Sequence, residues 1–489
     1  MTADLALRNV RIVDGTGAAP IEGDVAVTAD RITGVGSAGP AAETIDGEGL
    51  TLAPGFVDVH THDDGALLRH PGMEFKLAQG CTSVVIGNCG FSAAPAEVGA
   101  KDPSGLIGVP PDWSDLAGFG AALEAARPAV NAMALIGHNT VRSLVMGDER
   151  RAPTATELAE MRAAVATGIE QGACGFSTGL IYEPGRYSET DEVVELAAAA
   201  GQAGALYATH IRNEGDHLLQ AIEEAIEIGR QAGAAVQISH HKAAGARNWG
   251  KVVESLARVD AANAAGADVT LDVYPYTAGS GPMAQYFNLD RLDPELAEVI
   301  RFASCPAFRP YEGRMATDIA AEQGVQPVDV IRQVLTAPDG DRTICIQFII
   351  DEADIETNLA HPLMMVGSDG IPDLEGRPHP RLFGTFPRVL SRYVRDRGVL
   401  TLEDAVRRMT SLSCDRFGFA DRGRVAEGQF ADLVLFDAET VADTATYDDP
   451  KQEPAGIELV VVNGQIAYRS GDHTGVGTGR FLRYQPSYR

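Results

Sequence analysis

Two histidines one residue apart, His60 and His62, close the run Gly55-Phe56-Val57-Asp58-Val59-His60-Thr61-His62. Side chains two apart on a strand project to the same face, so both imidazoles can reach one point. Imidazole is a common ligand for zinc and related divalent ions, and a pair at this spacing predicts a metal site. Four more metal-competent side chains follow apolar runs in the same way. Cys89 comes just after Val84-Val85-Ile86, and His210 ends Tyr207-Ala208-Thr209. His240 ends Val236-Gln237-Ile238-Ser239, and Asp369 ends Met364-Met365-Val366-Gly367-Ser368. A cation held by such a set activates water for hydrolysis, with a nearby carboxylate moving the proton. Spacing leaves the pair His240-His241 open: adjacent strand residues face opposite ways, so only one can look towards the others. His240 shares the face of Val236 and Ile238.

The elements that must carry these residues alternate along the chain. Apolar runs at Thr82–Ile86, Ala132–Ile136, Ala205–Thr209, Ala235–Ser239, Val269–Tyr274 and Leu363–Ser368 read as strands. Ala/Glu/Arg-rich stretches at Thr156–Gln171, Glu189–Ala203, His217–Ala232 and Thr401–Thr410 read as helices. Repeated alternation of this kind predicts parallel strands with crossover helices, and this many units predicts a (β/α)8 TIM barrel. Ligands delivered from strand ends then share the C-terminal mouth, where such barrels do chemistry. Both ends of the chain are β-rich, including Leu5–Val13, Gly23–Thr28, Ala431–Phe436 and a hairpin signal at Asn463-Gly464. The expected organisation is a small β-sandwich domain from residues 1–54 and 416–489 around a barrel at 55–415. Residues 287–342 break the rhythm with Pro, Arg and Asp and read as an inserted lid segment.

Composition narrows the partners. A formal charge of −28 argues against nucleic acid or an anionic membrane surface, both of which need basic protein surface. It leaves room for an anionic small molecule held by local cations. No basic segment with an apolar core opens the chain, and no 18-residue apolar stretch is long enough to span a bilayer. The six cysteines lack a framework spacing, which points to thiols in a reducing cytoplasm.

The residues carry a resemblance. His-x-His after the first barrel strand, single histidines after two later strands and Ser368-Asp369-Gly370 near the last resemble the amidohydrolase superfamily. More narrowly, the chain is similar to the D-aminoacylase (N-acyl-D-amino-acid deacylase) family. The segments that carry this include Gly80–Gly90, Gly137-His138-Asn139, Ser177–Gly185, His210–Gly215, Ser239–Lys242, Asp272–Tyr276 and His379–Leu382. The resemblance covers nearly the whole chain and implies a zinc-dependent hydrolase that cleaves N-acyl-D-amino acids. It implies a tight zinc site from Cys89, His210 and His240, and a weaker or empty second site from His60, His62 and Asp369. It also implies that Asp369 acts as general base and acid. Relatives such as hydantoinases bridge two metals with a carboxylated lysine from a middle strand. This chain has no lysine between Lys101 and Lys242, so that bridge cannot be built there; the resemblance implies that Cys89 supplies the anionic ligand instead, as a thiolate.

The substrate's free carboxylate needs fixed cations and hydroxyls. Lys242, one of only five lysines, lies two residues past His240 and is expected to face the same mouth. Arg381 matches the family position that clamps this carboxylate, with Tyr274 and Ser280 as hydroxyl partners. Ile371-Pro372-Asp373 and Gly281-Pro282-Met283 depart from the family pattern near the expected side-chain pocket. Competing readings are hydrolysis of a cyclic amide, an N-acyl dipeptide or an N-carbamoyl compound, or an inactive scaffold. Degenerate relatives usually lose ligands, and all six are present here.

Overall fold

The computed structural model describes residues 2–99, 108–147, 149–287, 289–290 and 292–485, which leaves Lys101 outside the described residues. Eight parallel strands form the barrel: β1 (Phe56–Asp58), β2 (Cys81–Ile86), β3 (Asn131–Gly137), β4 (Gly175–Gly179), β5 (Leu206–His210), β6 (Val236–Ile238), β7 (Val269–Val273) and β8 (Met364–Val366). Each pairs with its sequence neighbours, as right-handed β-helix-β units require. The seam between β1 and β8 closes just past the strand ends. Thr61 bridges Gly370 in parallel register, and the Asp369 amide donates to the His60 carbonyl at 2.7 Å.

A buried lysine pins that seam. Lys76 Nζ lies 2.6 Å from Asp58 Oδ2, 3.2 Å from Asp63 Oδ2 and 3.1 Å from Ser368 Oγ. Asp58 Oδ1 accepts from the Ser368 amide at 2.8 Å, so one ammonium ties the two strand ends together. Burial pushes the Asp63 carboxyl up to about 6 despite the nearby ammonium. Lys76→Met leaves these carboxylates facing each other in a dry interior. The expected cost is about 3–5 kcal/mol of stability, read as a lower denaturant midpoint. An unchanged midpoint would contradict the pinning role.

Strand β4, Gly-Phe-Ser-Thr-Gly, escapes an apolar-run reading because Phe176 is its one large apolar residue. Its composition follows from crowding: a Cβ at Gly179 would lie 2.2 Å from the Cys89 carbonyl oxygen. Only glycine lets the β2 loop come so close.

Both termini build the small β domain. Nine strands join in one hydrogen-bonded sheet, with Ala3–Ile12 paired parallel to Ala41–Asp46 and to Thr51–Pro54. Leu5, Leu7, Val25, Leu52, Leu433 and Leu459 share its separate core. Asn463 (φ 49°) and Gly464 (φ 80°) make the expected hairpin turn.

The insertion begins earlier than the break in rhythm at residue 287. Gly279–Pro282, Ile300–Ser304 and Ile344–Gln347 form a three-stranded antiparallel sheet. Ala316–Gln323 and Pro327–Thr336 pack on it around Phe302, Ile319 and Val330. A glycine-rich opening strand hid the start. The segment reaches the barrel mouth through Tyr286, whose hydroxyl is 3.2 Å from that of Tyr182.

Candidate metal centre

Cys89 sits in a tight turn after β2. Gly87, Cys89 and Gly90 all have positive φ, at 77°, 55° and 81°. Ser177 of β4 fixes the turn, accepting from the Gly90 amide at 3.1 Å and donating to the Gly87 carbonyl. His240 and Asp369 also have positive φ, 35° and 51°, conformations that L-residues adopt at a cost. Three of the six expected ligands therefore leave their strands through backbone the surrounding structure must hold in place.

These turns aim six side chains at one buried point. Cys89 Sγ is 3.3 Å from His60 Nε2, 3.4 Å from His240 Nε2 and 3.8 Å from His210 Nδ1. Asp369 Oδ1 is 3.2 Å from His62 Nε2 and 3.6 Å from His60 Nε2. Metal–nitrogen bonds of about 2.0–2.1 Å and a metal–sulfur bond of about 2.3 Å set tetrahedral ligands about 3.3–3.6 Å apart, so the spacing fits a shared cation. His60 belongs to two ligand groups, one with Cys89 and His240, the other with His62 and Asp369. It is thus closer to the sulfur than His210 is.

The charges suit a cation. Burial alone would push the Cys89 thiol up, but His60, His240 and a hydrogen bond from His210 outweigh it and hold the thiol well below its usual range. Burial likewise opposes ionisation of Asp369, yet Arg381, His240 and the His62 hydrogen bond keep its carboxyl well below the ordinary value. His62 is pulled down by burial but raised further by Asp369 and Cys89, to about 9. A thiolate and a carboxylate among imidazoles form the donor set that zinc accepts.

The amidohydrolase family profile matches residues 43–468 of this chain. The chain belongs to the amidohydrolase family. It is a metal-dependent hydrolase. The amidohydrolase is 43% identical over 465 residues to an N-acyl-D-glutamate deacylase of Alcaligenes xylosoxydans xylosoxydans, covering 94% of this chain and 93% of that one. A D-aminoacylase of the same organism is 43% identical over 484 residues, 98% of this chain and 97% of its own. The crystal structure of N-acyl-D-glutamate deacylase from Bordetella bronchiseptica, complexed with zinc and a phosphonate mimic of the tetrahedral intermediate, matches with a TM-score of 0.91. That likeness has 39% identity and covers 99% of this chain and 100% of that one.

Around the amidohydrolase's cluster lie the groups expected to hold substrate. Arg381 is fully buried, with Nη1 2.9 Å from Asp369 Oδ2 and Nη2 donating to the Ser280 carbonyl at 3.0 Å. Ser280 thus meets Arg381 through its backbone oxygen. The guanidinium lies 4.5 Å from the centre of the Tyr274 ring, and Lys242 Nζ lies 5.6 Å from it. Lys242 is paired with Glu214.

His240 reaches the cluster by a different route from simple alternation. Val236 and Ile238 face outwards: a Cβ on Gly229, in the helix after β5, would lie 2.1 Å from Val236 Cγ2. Gln237 faces inwards, donating to Asp272 Oδ2 at 2.7 Å. The positive φ at His240 then swings its ring inwards. His241 is left among the helices, with Nδ1 2.8 Å from Asn358 Oδ1 and Nε2 2.7 Å from Ser255 Oγ. His138, just after β3, pairs with Glu192 at 2.9 Å. Sequence reasoning gave no part to Glu214, Lys76 or Ser177. A carboxylate four residues past a ligand histidine and a lysine inside an apolar segment were the available signals.

Proposed function

We propose that this amidohydrolase uses zinc to hydrolyse the amide bond of N-acyl-D-amino acids, releasing a carboxylate and a free D-amino acid. The carrying observation is a thiolate-and-imidazole cluster beside a buried guanidinium. Arg381 Nε has no hydrogen-bond partner, while Nη1 is ion-paired with Asp369 Oδ2 at 2.9 Å. Unsatisfied N–H groups in a dry site favour an anionic ligand, and a substrate carboxylate supplies one.

Cys89, His210 and His240 hold the tighter ion in this reading, and His60, His62 and Asp369 a weaker second one. When bound, the cation supplies a Lewis acid that brings the pKa of water towards about 7. Asp369 takes a proton from the attacking water onto a carboxylate oxygen and returns it to the departing amide nitrogen. Arg381 and Lys242 orient the substrate carboxylate, with Tyr274 and Ser280 alongside. The Tyr182 ring packs 4.6 Å from that of His210. The six buried cysteines, none in a disulfide, support a cytoplasmic location.

Paired hydrolysis assays on N-acetyl D- and L-amino acids test this reading. Turnover of the D series is expected, with the L enantiomers slower. Equal rates for both, or activity confined to cyclic amides, would overturn it. Arg381→Met is expected to lower kcat/KM about 10- to 150-fold, mostly through KM, for the loss of charge-assisted bonds. An unchanged KM would remove Arg381 from substrate binding.

A further inference from the structure

We infer that Glu214 is a positioning residue: one carboxylate stands behind the rings of both His210 and His240 and, by its charge, favours the tautomers that turn a bare nitrogen on Cys89. This rests on the zinc reading above. The two oxygens divide the work. Oε1 lies 3.0 Å from His240 Nδ1, and Oε2 lies 3.6 Å from His210 Nε2. The opposite nitrogens, His240 Nε2 and His210 Nδ1, are the ones that face Cys89 Sγ, at 3.4 and 3.8 Å. His210 Nε2 is buried without a hydrogen-bond partner, and Glu214 Oε2, at 3.6 Å, acts on it through charge.

The chemistry requires such a group. A neutral imidazole carries one proton, and a cation binds only the nitrogen without it. An acceptor behind the ring draws the proton there and frees the other nitrogen. His240 makes the requirement acute, because Lys242 Nζ lies 2.9 Å from its Nδ1. An ammonium alone at that place would donate to Nδ1 and force the proton onto Nε2, the nitrogen facing the sulfur. Glu214 opposes this: its Oε1 pairs with the Lys242 ammonium and lies 3.0 Å from His240 Nδ1, so the ammonium has an anionic acceptor besides the ring.

The backbone holds Glu214 in register with both rings. The Ala244 amide, two residues past Lys242, donates to the Glu214 carbonyl at 2.7 Å. The Asn213 side chain accepts from the Gly215 and His217 amides at 2.9 and 3.0 Å, which shapes the turn on the other side. The loops after β5 and β6 therefore meet at this residue through main chain and side chain alike.

Zinc affinity measured by competition with a chromophoric chelator tests the inference, using full-length wild type, Glu214→Gln and Glu214→Asp. Thermal midpoints of the metal-free proteins are recorded in parallel. Glu214→Gln is expected to weaken zinc binding about 10- to 100-fold. Glu214→Asp, which withdraws the oxygens by one methylene, is expected to weaken it less. A merely structural role would move the midpoints and leave the affinities together. Affinity within about threefold of wild type in folded Glu214→Gln overturns the inference. Wild type that fails to bind zinc overturns instead the reading on which it rests.

Discussion

Cys89→Ala is expected to purify with almost no zinc and to hydrolyse no substrate above background. The sulfur lies within 3.3–3.8 Å of three imidazole nitrogens, and no other ligand in the cluster combines that reach with a negative charge. Alanine removes the anion that touches all three of those imidazoles and leaves Asp369 as the one anionic ligand of the six, on the His60 and His62 side, so the tighter site is left with imidazoles alone. Metal content by elemental analysis, from about one tightly held zinc per chain in wild type, checks this directly. Thermal unfolding separates the effect from misfolding: without metal, deleting one buried thiol is a small change in volume. Full zinc content together with full turnover would remove Cys89 from the centre.

Asp369→Asn is expected to keep the tightly held metal and lose about 10²- to 10⁴-fold in kcat, the usual worth of a positioned acid–base group. The sign follows from its surroundings. Arg381, His240 and the bond from His62 hold this carboxyl well below its ordinary range, so at neutral pH it is ionised. Asparagine has the same shape and cannot accept a proton. It also replaces the charged 2.9 Å partner of Arg381 with a neutral amide whose oxygen still accepts, so KM moves less than kcat. Turnover within tenfold of wild type would take proton transfer away from Asp369.

Much of this site could be read from the order of residues, because barrel topology turns sequence order into spatial convergence. An apolar run followed by His, Cys or Asp states both the strand and the face it ends on. Asp58, His60 and His62 show alternation working as expected: Asp58 bonds the Ser368 amide at 2.8 Å, and the rings of His60 and His62 stand 5.8 Å apart. His240 shows where alternation fails. Its ring reaches the cluster because the strand ends at Ile238 and the backbone turns, a change of φ that no side-chain pattern announces. Strand β4 was hidden for the opposite reason: crowding against the Cys89 turn demands glycine, and glycine carries no hydropathy signal. Lys76 and Glu214 act on residues far along the chain, Ser368 and His240 among them. Such pairings are fixed by the seam and by loop contacts, which sequence spacing does not encode.

Zinc K-edge X-ray absorption of the purified, zinc-loaded protein weighs most directly on the whole account, because it reports the atoms touching the ion. The account predicts a first shell with a sulfur scatterer at about 2.3 Å beside nitrogen or oxygen at about 2.0–2.1 Å, and loss of the sulfur in Cys89→Ser. A shell of nitrogen and oxygen alone in the wild type would contradict it.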